Sequence, residues 1–92
     1  MSYTVKWSAR FRKQYKLMMK RGEDIALLDA VIRMLAAGET LPPEYHDHIL
    51  IGDYAGPHEC HIRPDWLLIY AYDDEVLVLT LLRTGSHGDL FG

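Results

Sequence analysis

Two apolar runs, residues 66–72 and 76–82, are separated only by the acidic step Asp73-Asp74-Glu75. Each has the length of a strand and falls far short of the roughly 20 residues that cross a bilayer. So short a gap leaves no room for a crossover. The two runs must therefore pair antiparallel across a tight turn at Asp73-Asp74. Residues 58–63 read as a further strand, turned back by Pro64-Asp65. Three strands joined by short turns form a meander, and its apolar face needs a cover.

The first forty residues supply that cover. Tyr3-Thr4-Val5-Lys6-Trp7 alternates and is rich in β-formers, which predicts a first strand. Ser8 suits the N-cap of a helix. Phe11, Tyr15, Met18 and Met19 then recur on one helical stripe, and Gly22 ends that helix. Glu23-Asp24 open a second helix with Ile25, Leu28, Ile32 and Leu35 on its stripe, closed by Gly38. Leu41-Pro42-Pro43 breaks regular structure. The polar stretch from Tyr45 to Pro57 has room for one short strand at 48–51. The tail from Arg83 to Gly92 is too rich in glycine for another regular element. The expectation is one α+β domain over residues 1–92. Its order is β-α-α-β-β-β, with two N-terminal helices packed on a twisted antiparallel sheet.

The chain holds a single cysteine, Cys60, which has no internal disulfide partner. Its first residues lack the apolar core of a signal peptide. A reducing cytoplasm, with no membrane partner, is expected. The net charge is −3, but its distribution is lopsided. Lys6, Arg10, Arg12, Lys13, Lys16, Lys20 and Arg21 all lie in the first 22 residues, where there is no acid; all 13 acids follow. A basic first segment on an acidic body reads either as a solvated helix face or as an interaction face for RNA or an acidic partner.

Five histidines, His46, His48, His58, His61 and His87, invite an acid–base or a metal reading. Alternation places His61 and Arg63 on one strand face with Glu59, and His58 and Cys60 on the other. If the meander folds as expected, one rim gathers His48, His61, Asp65, Arg83 and His87. Such a set suits RNA cleavage without a metal. A base takes the 2′-hydroxyl proton, Arg83 holds the phosphate, and His87 as acid protonates the leaving 5′-oxygen. Asp65 or His61 can serve as the base, with His48 orienting or sharing that role. The competing use is a metal site drawn from His46, His48, His58, Cys60 and His61, but the spacing matches no closed zinc pattern. Trp66 and Tyr70 read as core, and Phe91 either covers the core edge or stacks on a base.

These residues also carry a resemblance. Tyr45-His46-Asp47-His48-Ile49-Leu50-Ile51-Gly52-Asp53-Tyr54, the pair of strands around His61-Ile62-Arg63-Pro64-Asp65-Trp66, and the ending Arg83-Thr84-Gly85-Ser86-His87-Gly88-Asp89-Leu90-Phe91 resemble the YafQ-type toxins of the RelE/ParE superfamily. The match runs over essentially the whole chain. It implies a RelE-like fold and an endoribonuclease that cuts mRNA in the ribosomal A site with no cofactor, leaving a 2′,3′-cyclic phosphate and a 5′-hydroxyl. It implies catalytic roles for His48, His61, Asp65, Arg83 and His87, and substrate contacts at Phe91 and Trp66, with Trp66 buttressing the site from the core side. The basic segment from Lys6 to Arg21 would dock on ribosomal RNA. A DinJ-like antitoxin would be the partner, and DNA would be met only indirectly through that complex. A non-catalytic relative that binds its antitoxin or DNA is the alternative from another class, and the intact His, Asp and Arg set speaks against it.

Overall fold

The computed structural model describes residues 2–50 and 56–92. Strand β1 (Thr4–Trp7) leads into helix α1 (Ala9–Lys20) and helix α2 (Ile25–Ala36). A short 3-10 turn at Pro43–Tyr45 follows. Then come β2 (His48–Ile49), β3 (His58–Arg63), β4 (Trp66–Asp73), β5 (Val78–Gly85) and a last helix, α3 (His87–Phe91). The five strands form one sheet in the order β1-β5-β4-β3-β2. The α+β class and the order of the main elements are those read from the sequence. The expected extension of β2 to Ile51, and the stretch Gly52-Asp53-Tyr54, lie outside the described residues.

Local chemistry explains the helix limits. The Ser8 hydroxyl accepts the Phe11 N–H at 2.9 Å, and Asp24 accepts the Ala26 N–H at 3.2 Å. Gly22 stops α1 at φ +80, where its N–H and that of Glu23 return to the Met19 and Met18 carbonyls. Phe11 and Met18 are buried, as are Leu28, Val31 and Leu35 of α2. Met19, expected on the apolar stripe, is 53% exposed, because it lies about 100° round the helix from the buried Met18.

Three expectations need correction. The sheet is mixed: β1 pairs parallel with β5, in register Thr4↔Val78 to Trp7↔Leu81, so α1 and α2 form the connection that returns the chain to the far edge. The last strand starts at Val78 rather than Val76. Leu77 adopts φ +54, and the turn needs Val76 and Leu77 to complete its reversal after Asp73 accepts the Glu75 N–H. The tail is not irregular. β5 runs through Gly85, and Ser86 starts α3 with a reciprocal cap to Asp89.

β4 is covered on both sides. Leu68, Tyr70 and Trp66 join Phe11, Met18, Leu28, Val31, Leu35, Leu79 and Leu81 on the side of α1 and α2. On the other side Leu67 and Ile69 meet Leu90 of α3, with Leu50 and Leu82 at the margin. At the boundary of the two layers, the Thr84 hydroxyl accepts the Trp66 indole N–H at 3.0 Å and donates to the Leu67 carbonyl at 2.7 Å. Thr84→Val keeps the shape and strands the buried indole donor. It should cost about 1–3 kcal/mol of stability in urea denaturation.

Candidate active site

The side of the sheet away from α1 and α2 carries the polar side chains. Cross-strand partners share a face, so the register His48↔Glu59, Glu59↔Ile69 and Ile69↔Arg83 places these residues in one row across four strands. His61, paired with Leu67 and through it with Gly85, lies in the next row. Arg83 reaches this face through an irregularity. Ile69 pairs with Arg83 but Tyr70 pairs with Leu81, so Leu82 is an extra residue in β5. Strict alternation from Leu79 and Leu81 would have turned Arg83 into the core; the bulge turns it outward. A second register shift, between His61 and Arg63, pairs Arg63 with Trp66, yet Arg63 is exposed and lines the same groove as His61, as expected.

The His61–Asp65–His87 corner is the most closely knit part of the site. The turn after β3 brings Asp65 against the start of α3, where its carboxylate accepts both the His87 backbone N–H at 2.9 Å and its Nδ1–H at 2.7 Å. The backbone donor and then the ring hold the Asp65 carboxyl below its usual range. A carboxylate only accepts, so the proton of His87 lies on Nδ1 and Nε2 is left to exchange protons with a ligand. The His61 ring faces that of His87 at 5.8 Å between centroids, tilted by 61°.

His48 joins through a residue that sequence reasoning did not assign. Glu59, 6% exposed, stands between His48 Nε2 at 3.4 Å and His61 Nε2 at 3.7 Å. His48 Nδ1 faces the His46 carbonyl at 2.8 Å. His46, read from the sequence only as a possible metal ligand, lies edge-on to the His61 ring at 5.6 Å between centroids. Glu59 was findable, because it lies two residues before His61 on the same strand face. His46 was not, because it depends on a left-handed turn at φ +49. An open groove of about 830 Å³ runs from His48 and His61 past Glu44, Tyr45 and His46 to Arg63 and Pro64. His58 is apart from this set: it stacks on Tyr70 at 5.2 Å and faces Asp47 on the helix side.

The remaining expected residues fall in different places. Arg83 is half-buried, and its Nε has no hydrogen-bond partner among the described residues. Phe91 is 59% exposed at the end of α3. Trp66 is 1% exposed, so it offers no surface to a substrate and supports Thr84 from beneath. Lys6, Arg10, Arg12, Lys13, Lys16 and Lys20 are exposed, with Arg12 over the Trp7 ring at 5.8 Å. Arg21 is exposed too, but it is engaged with Asp89. Among the described residues no three His, Cys, Asp or Glu side chains converge as a metal site requires.

A mixed sheet backed by two helices, with an open face of imidazoles, carboxylates and arginines, is a RelE-like scaffold. The family model for the bacterial toxin of type II toxin–antitoxin systems, YafQ, matches residues 3–92. The mRNA interferase toxin YafQ of Escherichia coli (strain K12) is 37% identical over 89 residues, spanning 96% of this chain and 95% of that protein. A chain in the crystal structure of the E. coli DinJ–YafQ toxin–antitoxin complex superposes with a TM-score of 0.91 at 35% identity, over all of both chains. A metal-bound toxin from Helicobacter pylori gives 0.90 at 41% identity, over 99% of this chain and all of that one. The chain belongs to the YafQ family of type II toxins.

The Asp65–His87 contact sets a pH dependence. A carboxyl whose pKa is lowered by folding contributes stability above its unfolded value and loses it as pH falls through the folded one. The His87 amide resonance should therefore titrate below the ordinary Asp value of about 3.9. Asp65→Asn should abolish that titration in an NMR series, whereas a titration at the ordinary value would show that the contact does not form.

Proposed function

We propose that this protein is an mRNA interferase that cuts mRNA in the A site of the ribosome and is held inactive by a DinJ-like antitoxin. The observation that carries the reading is the His87 ring clamped by Asp65 and faced by His61, on a chain similar over its whole length to an mRNA interferase. The antitoxin is supported by the E. coli relative, which was crystallised with DinJ. A cytoplasmic site follows from the substrate, and no helix among the described residues is long and apolar enough to cross a membrane.

The chemistry is in-line attack of the 2′-hydroxyl on the adjacent phosphate. His87, as the imidazolium, gives its Nε2 proton to the leaving 5′-oxygen and is left neutral, with Nδ1–H still held by Asp65. Since Asp65 is occupied by two bonds from His87, the base is better sought on the opposite side of the gap. His61 takes the 2′-hydroxyl proton there, and Glu59 and His48 hold its Nε2 side polar. Arg83, half-buried on the same face, meets the charge that builds on the phosphorane. Phe91 offers an exposed ring for a base to stack on. The exposed Lys13, Lys16 and Lys20 supply sequence-independent phosphate contacts to ribosomal RNA.

Induced expression without antitoxin, followed by mapping of mRNA 5′ ends, tests the reading: cuts should appear in frame with translation. Absence of cleavage would remove the enzyme, and equal cleavage of naked mRNA would remove the ribosome. In single-turnover assays His87→Ala should lose about 10²–10⁴ in rate. Arg83→Lys should recover only part of the loss seen for Arg83→Ala, because the guanidinium fork is gone. A 2′-deoxy nucleotide at the cut site should resist cleavage; its cleavage would exclude the 2′-hydroxyl as nucleophile. Exchange of Lys13, Lys16 and Lys20 for Glu should weaken ribosome association and lower the salt slope by roughly one unit per lost contact.

A further inference from the structure

Arg21 and Asp89 are far apart in sequence and meet in a two-pronged ion pair. Arg21 Nη1 donates to Asp89 Oδ2 at 2.6 Å and Nη2 to Oδ1 at 3.0 Å. Asp89 is also the third residue of α3, where its Oδ2 accepts the Ser86 N–H at 2.9 Å while its own N–H goes to Ser86 Oγ at 3.0 Å. Gly85 leaves the space for this knot. With φ +154 it carries no Cβ, and a Cβ there would stand 2.9 Å from both Cβ and Oδ2 of Asp89.

Helix α3 has five residues, too few to hold its own shape in water. Its direction is set by what ties it down: Leu90 in the small core, and the Asp89 knot. Arg21 caps the end of α1, which Phe11 and Met18 anchor in the main core. The pair therefore refers the first residue of α3, His87, to the rigid body of the protein. At side-chain exposures of 44% and 25%, such a pair adds little to global stability, but its planar fork fixes direction.

We infer that Arg21 and Asp89 are positioning residues that hold α3, and with it the His87 ring, against Asp65 and opposite His61. Arg21 is then not one of the cations that dock on RNA. The inference rests on His87 acting as the acid, and its test includes a readout that needs no activity.

The two roles open to Arg21 differ in sign and in kinetic constant. If Asp89 were only a surface acid near the RNA path, Asp89→Asn would tighten ribosome binding. As a positioning group, its loss slows the chemical step. With purified full-length toxin on ribosomes carrying a short mRNA, Asp89→Asn and Arg21→Gln should each lower the single-turnover rate at saturation by about 10- to 100-fold. The half-saturating ribosome concentration and the melting temperature should stay close to those of the unmutated protein. Arg21→Lys should not restore the rate, because an ammonium keeps the charge and loses the fork. Independently, ring NMR of the free toxin should show the His87 Nδ1–H bond to Asp65 weakened in Asp89→Asn. An unmutated protein that cleaves nothing would sink the proposed function, while the NMR comparison would still decide the positioning role. Unchanged rates with unchanged His87 ring signals would overturn that role. A higher half-saturation point and smaller salt slope for Arg21→Gln, at full maximal rate, would return Arg21 to the RNA-docking face.

Discussion

A hydroxyl shut away from water must find partners for its proton and its lone pairs, and Thr84 finds both within the protein. It receives the indole proton of Trp66 and gives its own to the Leu67 carbonyl, while its backbone N–H goes to the Gln14 side chain of α1 at 2.9 Å. Three elements, α1, β4 and β5, are thereby fixed to one residue whose neighbours on either side are Arg83 and Gly85. Slipping β5 by one position would leave this buried set unpaired. The same register faces Arg83 outward after the bulge at Leu82 and delivers Ser86 and His87 to Asp65. The polar face is thus held in place from the core side.

Much of the fold could be read from local patterns. The Ser8 cap, the glycines after each helix and the Pro64-Asp65 turn all state their geometry within a few residues, and the limits of β3 were read correctly. What escaped was what distance decides. Nothing near Thr4 says that it will lie beside Val78, or that this edge is parallel. Val76 and Leu77 look like strand because they are apolar and, for valine, β-branched. They are spent in a turn because reversal at Asp73 needs four residues, one of them in a left-handed conformation. The glycines of the tail suggested irregular chain, yet the Ser86–Asp89 cap is a strong local helix signal.

The site was legible as a set of residue types and less so as an arrangement. His48, His61, Asp65, Arg83 and His87 do gather on one face. Asp65, however, is bonded to His87 rather than set against it, which changes what each can do. Glu59 was seen as a face-mate of His61, but its place between two imidazoles depends on β2 pairing with β3. Trp66 follows Asp65 in sequence but starts β4 with its ring in the core, whereas Asp65 stays exposed in the turn. Arg21 shares the charge of its neighbours in the basic segment but finds an acid 68 positions on, which no reading of α1 alone could show.

The parallel edge has a consequence in time. β1 is synthesised well before its partner β5, and until β5 emerges the chain must hold β1 without its neighbour. Contacts of such long sequence separation form late, because the loop they close has to exist first. The residues gathered on the open face span positions 48 to 87, and His87 lies beyond β5. The open face is assembled only once the segment through His87 has emerged.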